Sequence, residues 1–357
     1  MEEVISFTSK PKEGEPWDVA IIGSGPAAMT AAIYTTRGAA STLVLAGTSW
    51  GGQLMLTTTV DNFPGFTQGI LGPDLMLGMR KQVQRFGVEF IEADVKNVDF
   101  SKKPFEIIAN SSKFLAKSII IATGADIKWL GVPGEDKLRG KGVSSCAPCD
   151  APFFKDKKVI VVGGGDSAME ESLVLTKYSP KVTIIHRRDT FKASQAMQKK
   201  VFSNPKIQVV WDTEIVEILG DEKISSVRLK TKLDSKQIGG IKNNGHNIYD
   251  AKILVEKEGY LIWEMPTEGL FVSIGHKPAT NIFTGILDLD EKGYVKKMAS
   301  AIPTIEESYT TATSITGVFV AGDVHDYVYR QAITAAGFGC MAGMDALKYL
   351  NKNVPSW

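Results

Sequence analysis

Twice in this chain an apolar run passes through a glycine turn into a segment of helical character, and that repeated unit constrains the fold more than any other feature. The first copy is DVAIIGSGPAAMTAAIYTTRG. Val19 to Ile22 has the unbroken apolar character of a buried parallel strand. Gly23, Gly25 and Ala28 make a GxGxxA turn, and Ala27 to Thr36 reads as a helix rich in small residues. The second copy, KKVIVVGGGDSAMEESLVLTKY, has its strand at Val159 to Val162 and its turn at Gly163, Gly165 and Ala168. Glycine is needed for the tight bend and for close approach of a pyrophosphate, and the small third residue lets helix and strand pack closely. The diphosphate then lies on the helix N-terminus, where free N–H groups and the dipole favour anions. One such match is weak evidence. Two, each following a strand and opening a helix, imply two dinucleotides, one a flavin and the other a nicotinamide.

The residues beyond each turn separate the two. After the second, the strand KVTII ends in His186-Arg187-Arg188-Asp189, with Lys192 close behind. An acid at this strand end suits the ribose hydroxyls of NAD, whereas a cluster of cations suits the 2′-phosphate of NADP. The bland alternative is a solvated basic loop, but its place one strand after a nucleotide turn favours the site. The strand after the first turn, STLVLAG, ends in Ala46-Gly47 with neither acid nor arginine, so the sequence does not show how the adenosine end is held. Two further apolar strands fit a flavin site. Ser118 to Ala122 ends in Thr123-Gly124, and GVFVAGDV ends in Gly322-Asp323. Asp323 is placed beside the first crevice, where a carboxylate accepts hydrogen bonds from ribityl hydroxyls. It equally reads as the N-cap of the long helix YRQAITAAGFGCMAGMDALKYL, and the two roles are compatible. The order predicts an α/β chain of two Rossmann-like nucleotide-binding domains, the NADPH domain inserted into a discontinuous FAD domain. The expected boundaries are 1–127, 128–268 and 269–357.

SSCAPCD, residues 144–150, holds two of the three cysteines, and its spacing alone allows a redox disulfide, half a zinc site or two inert thiols. Three cysteines do not make a disulfide framework, which points to a reducing, cytoplasmic location. With 41 Lys+Arg against 40 Asp+Glu, the charge gives no support for a nucleic-acid surface. No apolar run approaches the ~18 residues of a membrane span. The opening MEEVISFTSKPKEGEP lacks a signal-peptide pattern and reads as a loose arm.

GSGPAA, GGQL, NFPG, ATG, CAPCD, GGGDSA, HRRD, AGD and YRQAITAAGFGCMA occur in that order. Together they resemble the low-molecular-weight thioredoxin reductases, flavoproteins of the disulfide reductase class, from roughly Asp18 to Leu350. The resemblance implies a homodimer that binds FAD and NADPH and passes hydride from NADPH to the flavin. The flavin then reduces a cysteine pair, the pair reduces thioredoxin, and the nucleotide domain rotates between steps. By this match Cys149 faces the flavin, Cys146 attacks the partner disulfide, and Asp150 manages the proton on the exchanging thiol. Gly23, Ser24, Gly25, Pro26, Ala27, Gly52, Gln53, Asn62 and Val95 match FAD contacts. So do Ala122, Thr123, Gly124, Gly322, Asp323, Arg330, Gln331 and Ala332. Gly163, Gly165, Asp166, Ser167, His186, Arg187, Arg188 and Lys192 match the NADPH site.

With an electron path of nicotinamide and flavin leading to it, the cysteine pair reads as redox-active, since a Cys-x-x-Cys loop closes readily. A structural zinc needs four ligands, and neither Cys340 nor the four histidines supply the rest, so no metal is expected. Cys340 reads as a buried small hydrophobe, His325 as a surface loop residue, and His276 as a residue that fixes its loop. Asp150 otherwise merely caps a turn. Three features depart from the family pattern. Met55 and Leu56 precede the threonines after GGQL, Ala151 replaces a glycine, and the stretch between Leu229 and Gly269 is longer. That stretch alternates like a hairpin with a mobile tip. No second cysteine motif precedes the closing NVPSW, which argues against the larger reductases. The competing readings change the acceptor to a glutaredoxin-like protein, a small dithiol or oxygen, change the donor to ferredoxin or a reduced flavin, against which HRRD and Lys192 speak, or make the chain a redox-sensing nucleotide-binding protein.

Overall fold

The apolar run Trp17–Ile22 lies at the centre of a seven-stranded sheet, with Val19 to Ile21 wholly removed from water. Burying each large aliphatic side chain there contributes about 1.5–3 kcal/mol. The computed structural model describes residues 10–57, 59–242, 250–298 and 309–351. The first nine residues of the N-terminal arm, residues 243–249 of the stretch expected to carry a mobile tip, and the closing NVPSW lie outside the described residues. The chain forms two units, one of residues 1–126 and 277–357, the other of residues 127–276 inserted in its sequence.

In the first unit, Trp17–Ile22 pairs in parallel with Thr42–Leu45 on one side and Ser112–Ile121 on the other. Val19 stands opposite both Thr42 and Ser118. The ten-residue strand Ser112–Ile121 serves two partners along its far edge. Its first half takes Phe105–Ala109 antiparallel, and its second half takes Val318–Val320 in parallel. The carboxyl ends of Trp17–Ile22, Ser112–Ile121 and Val318–Val320 are thereby gathered at one edge, where ligands bind in such sheets. Helix Pro26–Arg37 packs on helix Ala332–Leu350 through small residues. A Cβ on Gly339 would overlap the Ala27 carbonyl, and one on Gly343 would crowd Ala31.

The long helix begins at Ala332, not at Tyr329 as its sequence pattern suggests. Arg330 has φ 49°, outside the helical region, and the Gln331 side chain closes a capping box with Thr334. Asp323 is therefore not its N-cap. It sits in the short 3₁₀ turn Gly322–Val324 at the end of the preceding strand.

The second unit holds a five-stranded parallel sheet in the order Val143–Ser144, Gly269–Val272, Lys158–Val162, Lys181–Ile185, Ile207–Val210. A four-stranded antiparallel sheet adjoins it in sequence, running Thr213–Gly220, Ile224–Lys232, Tyr260–Pro266, Lys252–Lys257. The expected hairpin is present as the last two of these strands. Their turn, Glu258 and Gly259, has both residues at positive φ, as a two-residue hairpin with right-handed twist requires. Trp263 anchors it, buried, with its indole N–H donating to Thr231 Oγ1 at 2.8 Å. The short helix Ile238–Lys242 in this stretch has no strong sequence signal. Among the described residues no helix is long and apolar enough to cross a membrane.

Candidate active site

The two glycine turns share one construction, each inside its own unit. Gly23 has φ 120°, and a Cβ there would overlap the Ala122 carbonyl of the neighbouring strand. Gly163 has φ 157° and stands in the same relation to Ser273. The middle glycines, Gly25 and Gly165, are N-caps with no side-chain bond to their helices, Pro26–Arg37 and Asp166–Leu175. The space beside each Cα is open. Free helix N–H groups facing open space are the surface a diphosphate requires. Ala28 and Ala168 are fully buried, as the third position demands.

Around the first turn, Ser24 is buried, donates to the Ala46 carbonyl and accepts from the Gly51 amide, so it ties the turn to the loop that carries Gly52 and Gln53. Gly52 approaches Gly25 closely. Thr123 donates to the Ala279 carbonyl, holding Ala122 to Gly124 against the returning chain. Gln53 donates to Asp126, and Asn62 donates to Gln331 beside Arg330 and Ala332. Val95 lies half-buried at the start of Val95–Asp99. Met55 covers Gly51, while Leu56 is 70% exposed. Gly322 abuts Ala27, which brings the turn bearing Asp323 to the helix of the first glycine motif.

Asp323 is the unusual group here. Oδ1 is buried and has no partner in the described structure. Burial, and then the charge of Asp326, push its carboxyl up to about 7 against the pull of Arg330. An orphaned carboxylate oxygen at a strand end fits a polyol hydroxyl. The folded-state value exceeds the ordinary Asp value, so the favourable contribution of this carboxyl is full below about pH 4 and is lost as pH rises to about 7. Asp323→Asn in the flavin-free protein is expected to be the more stable form at pH 8, by a few kcal/mol, and to lose that advantage at pH 4. If Asp323 holds the ribityl chain, as the resemblance implies, the same substitution is also expected to weaken flavin retention. Thermal melts across that range and flavin content after gel filtration check both. A flat stability difference between the two proteins overturns the assignment.

His325 departs from its expected place on the surface. It is 8% exposed, with its ring edge-on to Phe338 at 4.5 Å. Burial, reinforced by Lys297, pushes it down to about 4, and Nε2 has no partner among the described residues. A histidine between Val324 and Asp326 looks solvated in sequence. Only the fold of the next helix supplies the ring that covers it.

In the second unit, Cys146 and Cys149 form a disulfide with Cα atoms 5.3 Å apart. Pro148 is the second residue of the single helical turn Ala147–Asp150, and the amides of Cys149 and Asp150 both donate to the Cys146 carbonyl. Ala151 has φ −52° and ψ −36°, which alanine adopts freely, so the missing glycine costs nothing. Burial pushes the Asp150 carboxyl above the usual range, while the Ser144 hydroxyl, donating to Oδ2 at 2.6 Å, pulls it back. Ser144 also accepts from the Cys146 amide at 3.1 Å. Nothing in the sequence marks Ser144, a polar residue before a cysteine, as part of this group. Cys340, expected to be buried, is a free thiol only half-covered, 3.9 Å from the Met344 sulfur. The glycines that flatten its helix against the neighbouring one leave its own position near the rim.

The strand Lys181–Ile185 leads into the basic segment. His186 is buried, with Nε2–H donating to the Thr190 carbonyl at 3.0 Å and its ring filling the space beside Gly164. Burial and then the nearby Arg188 and Arg187 push it down, so it packs as a neutral ring. Arg187, Arg188 and Lys192 are exposed. The amides of Lys192 and Ala193 donate to the Gly164 carbonyl, which fastens this segment to the second glycine turn. Asp166, the first residue of the helix, accepts from the Ser194 amide and hydroxyl, and Ser167 comes next, half-buried.

Comparison with known proteins identifies the family. The family model of the pyridine nucleotide-disulphide oxidoreductases matches residues 17–339. A thioredoxin reductase of Rickettsia conorii is 45% identical over 335 residues, covering 94% of this chain and 98% of its own. Thioredoxin reductase 2 of Arabidopsis thaliana is 47% identical over 347 residues, covering 94% and 82%. Among solved structures, thioredoxin reductase from Giardia duodenalis aligns with a TM-score of 0.80 at 38% identity, covering 94% of this chain and 99% of its own.

Proposed function

The chain belongs to the pyridine nucleotide-disulphide oxidoreductase family, and from that premise we propose that it is a thioredoxin reductase using FAD and NADPH. The observation that carries this reading is the Cys146–Cys149 disulfide, with a half-buried carboxyl on the next residue, in the same unit as a dinucleotide turn and its basic segment. In this reading the unit of residues 1–126 and 277–357 is the FAD domain and the inserted unit, 127–276, the NADPH domain; the boundary expected after residue 268 moves downstream because the strand Gly269–Val272 pairs with Lys158–Val162 in the inserted unit's sheet. The protein works as a homodimer in a reducing cytoplasm, the compartment that its sparse cysteines favour.

Gly23, Ser24, Gly25, Pro26 and Ala27 would hold the FAD diphosphate, and Gly322 and Asp323 the ribityl chain. Arg330, Gln331 and Ala332 would hold the flavin ring, with Gly52, Gln53, Asn62, Val95, Ala122, Thr123 and Gly124 completing the site. Gly163, Gly165, Asp166 and Ser167 would hold the NADPH diphosphate. Arg187, Arg188 and Lys192 would hold its 2′-phosphate, with His186 backing the turn. When bound, the two cofactors supply an electron pair as hydride.

The chain's own residues do the rest. The disulfide takes up two electrons and one proton, leaving one thiol and one thiolate. The Cys146 thiolate attacks the thioredoxin disulfide, forming a mixed disulfide and expelling one thioredoxin thiolate. Asp150 takes the Cys149 proton as that sulfur attacks Cys146, and passes it to a departing thiolate. The mixed disulfide breaks, the second thioredoxin sulfur leaves, and Cys146–Cys149 is restored. Rotation of the nucleotide domain alternates the two half-reactions.

Stopped-flow absorbance of the purified protein tests the whole sequence. Rapid bleaching by NADPH but not NADH, followed by thioredoxin turnover, is expected. Bleaching without turnover overturns the acceptor, and no bleaching by either nucleotide overturns the donor.

A further inference from the structure

Ser144 does more than the family's redox motif asks of it. It belongs to the two-residue strand Val143–Ser144, paired in parallel with Gly269–Val272 so that Ser144 stands opposite Phe271. It is buried. The chain then leaves the sheet, makes the redox turn and comes back. Past Asp150, the 3₁₀ segment Ala151–Phe154 sets the Phe154 ring edge-on to Phe271 at 5.0 Å and against Gly269. Both flanks of the redox turn are therefore fastened to one strand, and the separation of Ser144 from Asp150 is set by the sheet.

Across that gap the Ser144 hydroxyl makes two bonds. It donates to Asp150 Oδ2 at 2.6 Å and accepts from the Cys146 amide at 3.1 Å. A carboxylate at Asp150 is an acceptor only, whereas a protonated carboxyl has a donor of its own. A hydroxyl suits both states. It donates to the carboxylate, and when the carboxyl carries a proton the same oxygen accepts it, keeping the bond to the Cys146 amide. An alanine takes that acceptor from the Cys146 amide and the donor from a half-buried carboxylate oxygen, so the hold on the Asp150 carboxyl is lost.

We propose that Ser144 is the positioning residue of the proton step, holding the Asp150 carboxyl in one orientation through both of its protonation states. The proposal rests on the proton role assigned to Asp150 above. Few charges compete for that carboxyl. The segment Ala151–Phe154 carries no titratable side chain. The helix Asp166–Leu175, which packs on the turn, carries Asp166 bound to Ser194, exposed Glu170 and buried Glu171. Burial and the Ser144 hydroxyl are the influences that set the Asp150 carboxyl.

The test titrates Asp150 in the oxidised protein by difference infrared spectroscopy, taking the protonated-carboxyl band that Asp150→Asn removes. Ser144→Ala is expected to move the midpoint of that band up by about one pH unit, since the lost donor favoured the carboxylate. It lowers thioredoxin turnover about tenfold, within the usual worth of a positioned acid or base. Ser144→Thr retains the hydroxyl and restores both. If Ser144→Ala does not fold, Ser144→Thr against Ser144→Val makes the same comparison at equal shape and in residues suited to a strand, with the upward move expected only for valine. An unmoved midpoint in folded Ser144→Ala or Ser144→Val overturns the proposal. Asp150→Asn turning over at the parent rate overturns instead the proton role of Asp150, a separate failure.

Discussion

Serine in place of Cys149 is expected to leave the protein yellow and bleachable by NADPH, and to lower thioredoxin turnover by at least about three orders of magnitude. A serine oxygen forms no bond with the Cys146 sulfur that can accept electrons or expel a partner. Cys146 keeps its thiol, however, and can still attack the thioredoxin disulfide once. The thioredoxin thiolate that it expels can attack back, so without Cys149 the mixed disulfide persists only where that second thioredoxin thiol is absent. With a thioredoxin whose second cysteine is serine and whose first is carried as a mixed disulfide with a small aromatic thiol, mass spectrometry should find one thioredoxin covalently held per Cys149→Ser chain, and none on Cys146→Ser. The bridge spans a sequence separation of 3, so the chain entropy it removes is small and the fold should survive its loss. Adducts on Cys146→Ser instead of Cys149→Ser would reverse the two roles. Full turnover by either variant would remove the pair from the mechanism.

How much of this site the sequence reveals depends on how local each requirement is. Gly23 and Gly163 are legible because the positive φ and the close carbonyl are demanded by a strand turning at once into a helix, and the motif states all three parts consecutively. The cysteine pair is legible for the same reason. The Ser144–Asp150 bond is not, because it exists only once Val143–Ser144 has paired with Gly269–Val272, a strand more than a hundred residues away. His325 fails as a surface residue because the ring that covers it belongs to the next helix, and Cys340 fails as a buried one because the neighbouring glycines decide which face of that helix is closed. The start of that helix is hidden by an apolar pattern that runs smoothly through Tyr329, while the positive φ of Arg330 leaves no trace in composition. The orphan oxygen of Asp323 is the reverse case. A strand ending in Gly-Asp points to it, but its burial is visible only in the fold.

The basic segment carries the other large expectation. Alanine at both Arg187 and Arg188 is expected to lower kcat/KM for NADPH by about 10²- to 10³-fold and to leave NADH within about twofold. A charged hydrogen bond contributes about 1.5–3 kcal/mol, and tenfold corresponds to about 1.4 kcal/mol. Two such bonds in full would contribute about 3–6 kcal/mol, and the expected loss, about 2.8–4.2 kcal/mol, lies in the lower part of that range. Both side chains are exposed, so solvent and salt screen them, and Lys192 stays in place to hold part of the phosphate charge. The loss should accordingly shrink as salt is raised, because the parent enzyme weakens toward the variant. His186 does not share in this effect. Its ring is buried, neutral and bonded to the Thr190 carbonyl, so His186→Asn should disturb both nucleotides alike by loosening the turn at Gly164. Steady-state kinetics with each nucleotide at two ionic strengths separates the possibilities. An equal small loss for NADPH and NADH would make the segment a solvated loop, while a selective, salt-sensitive loss for NADPH assigns these two guanidinium groups to the 2′-phosphate.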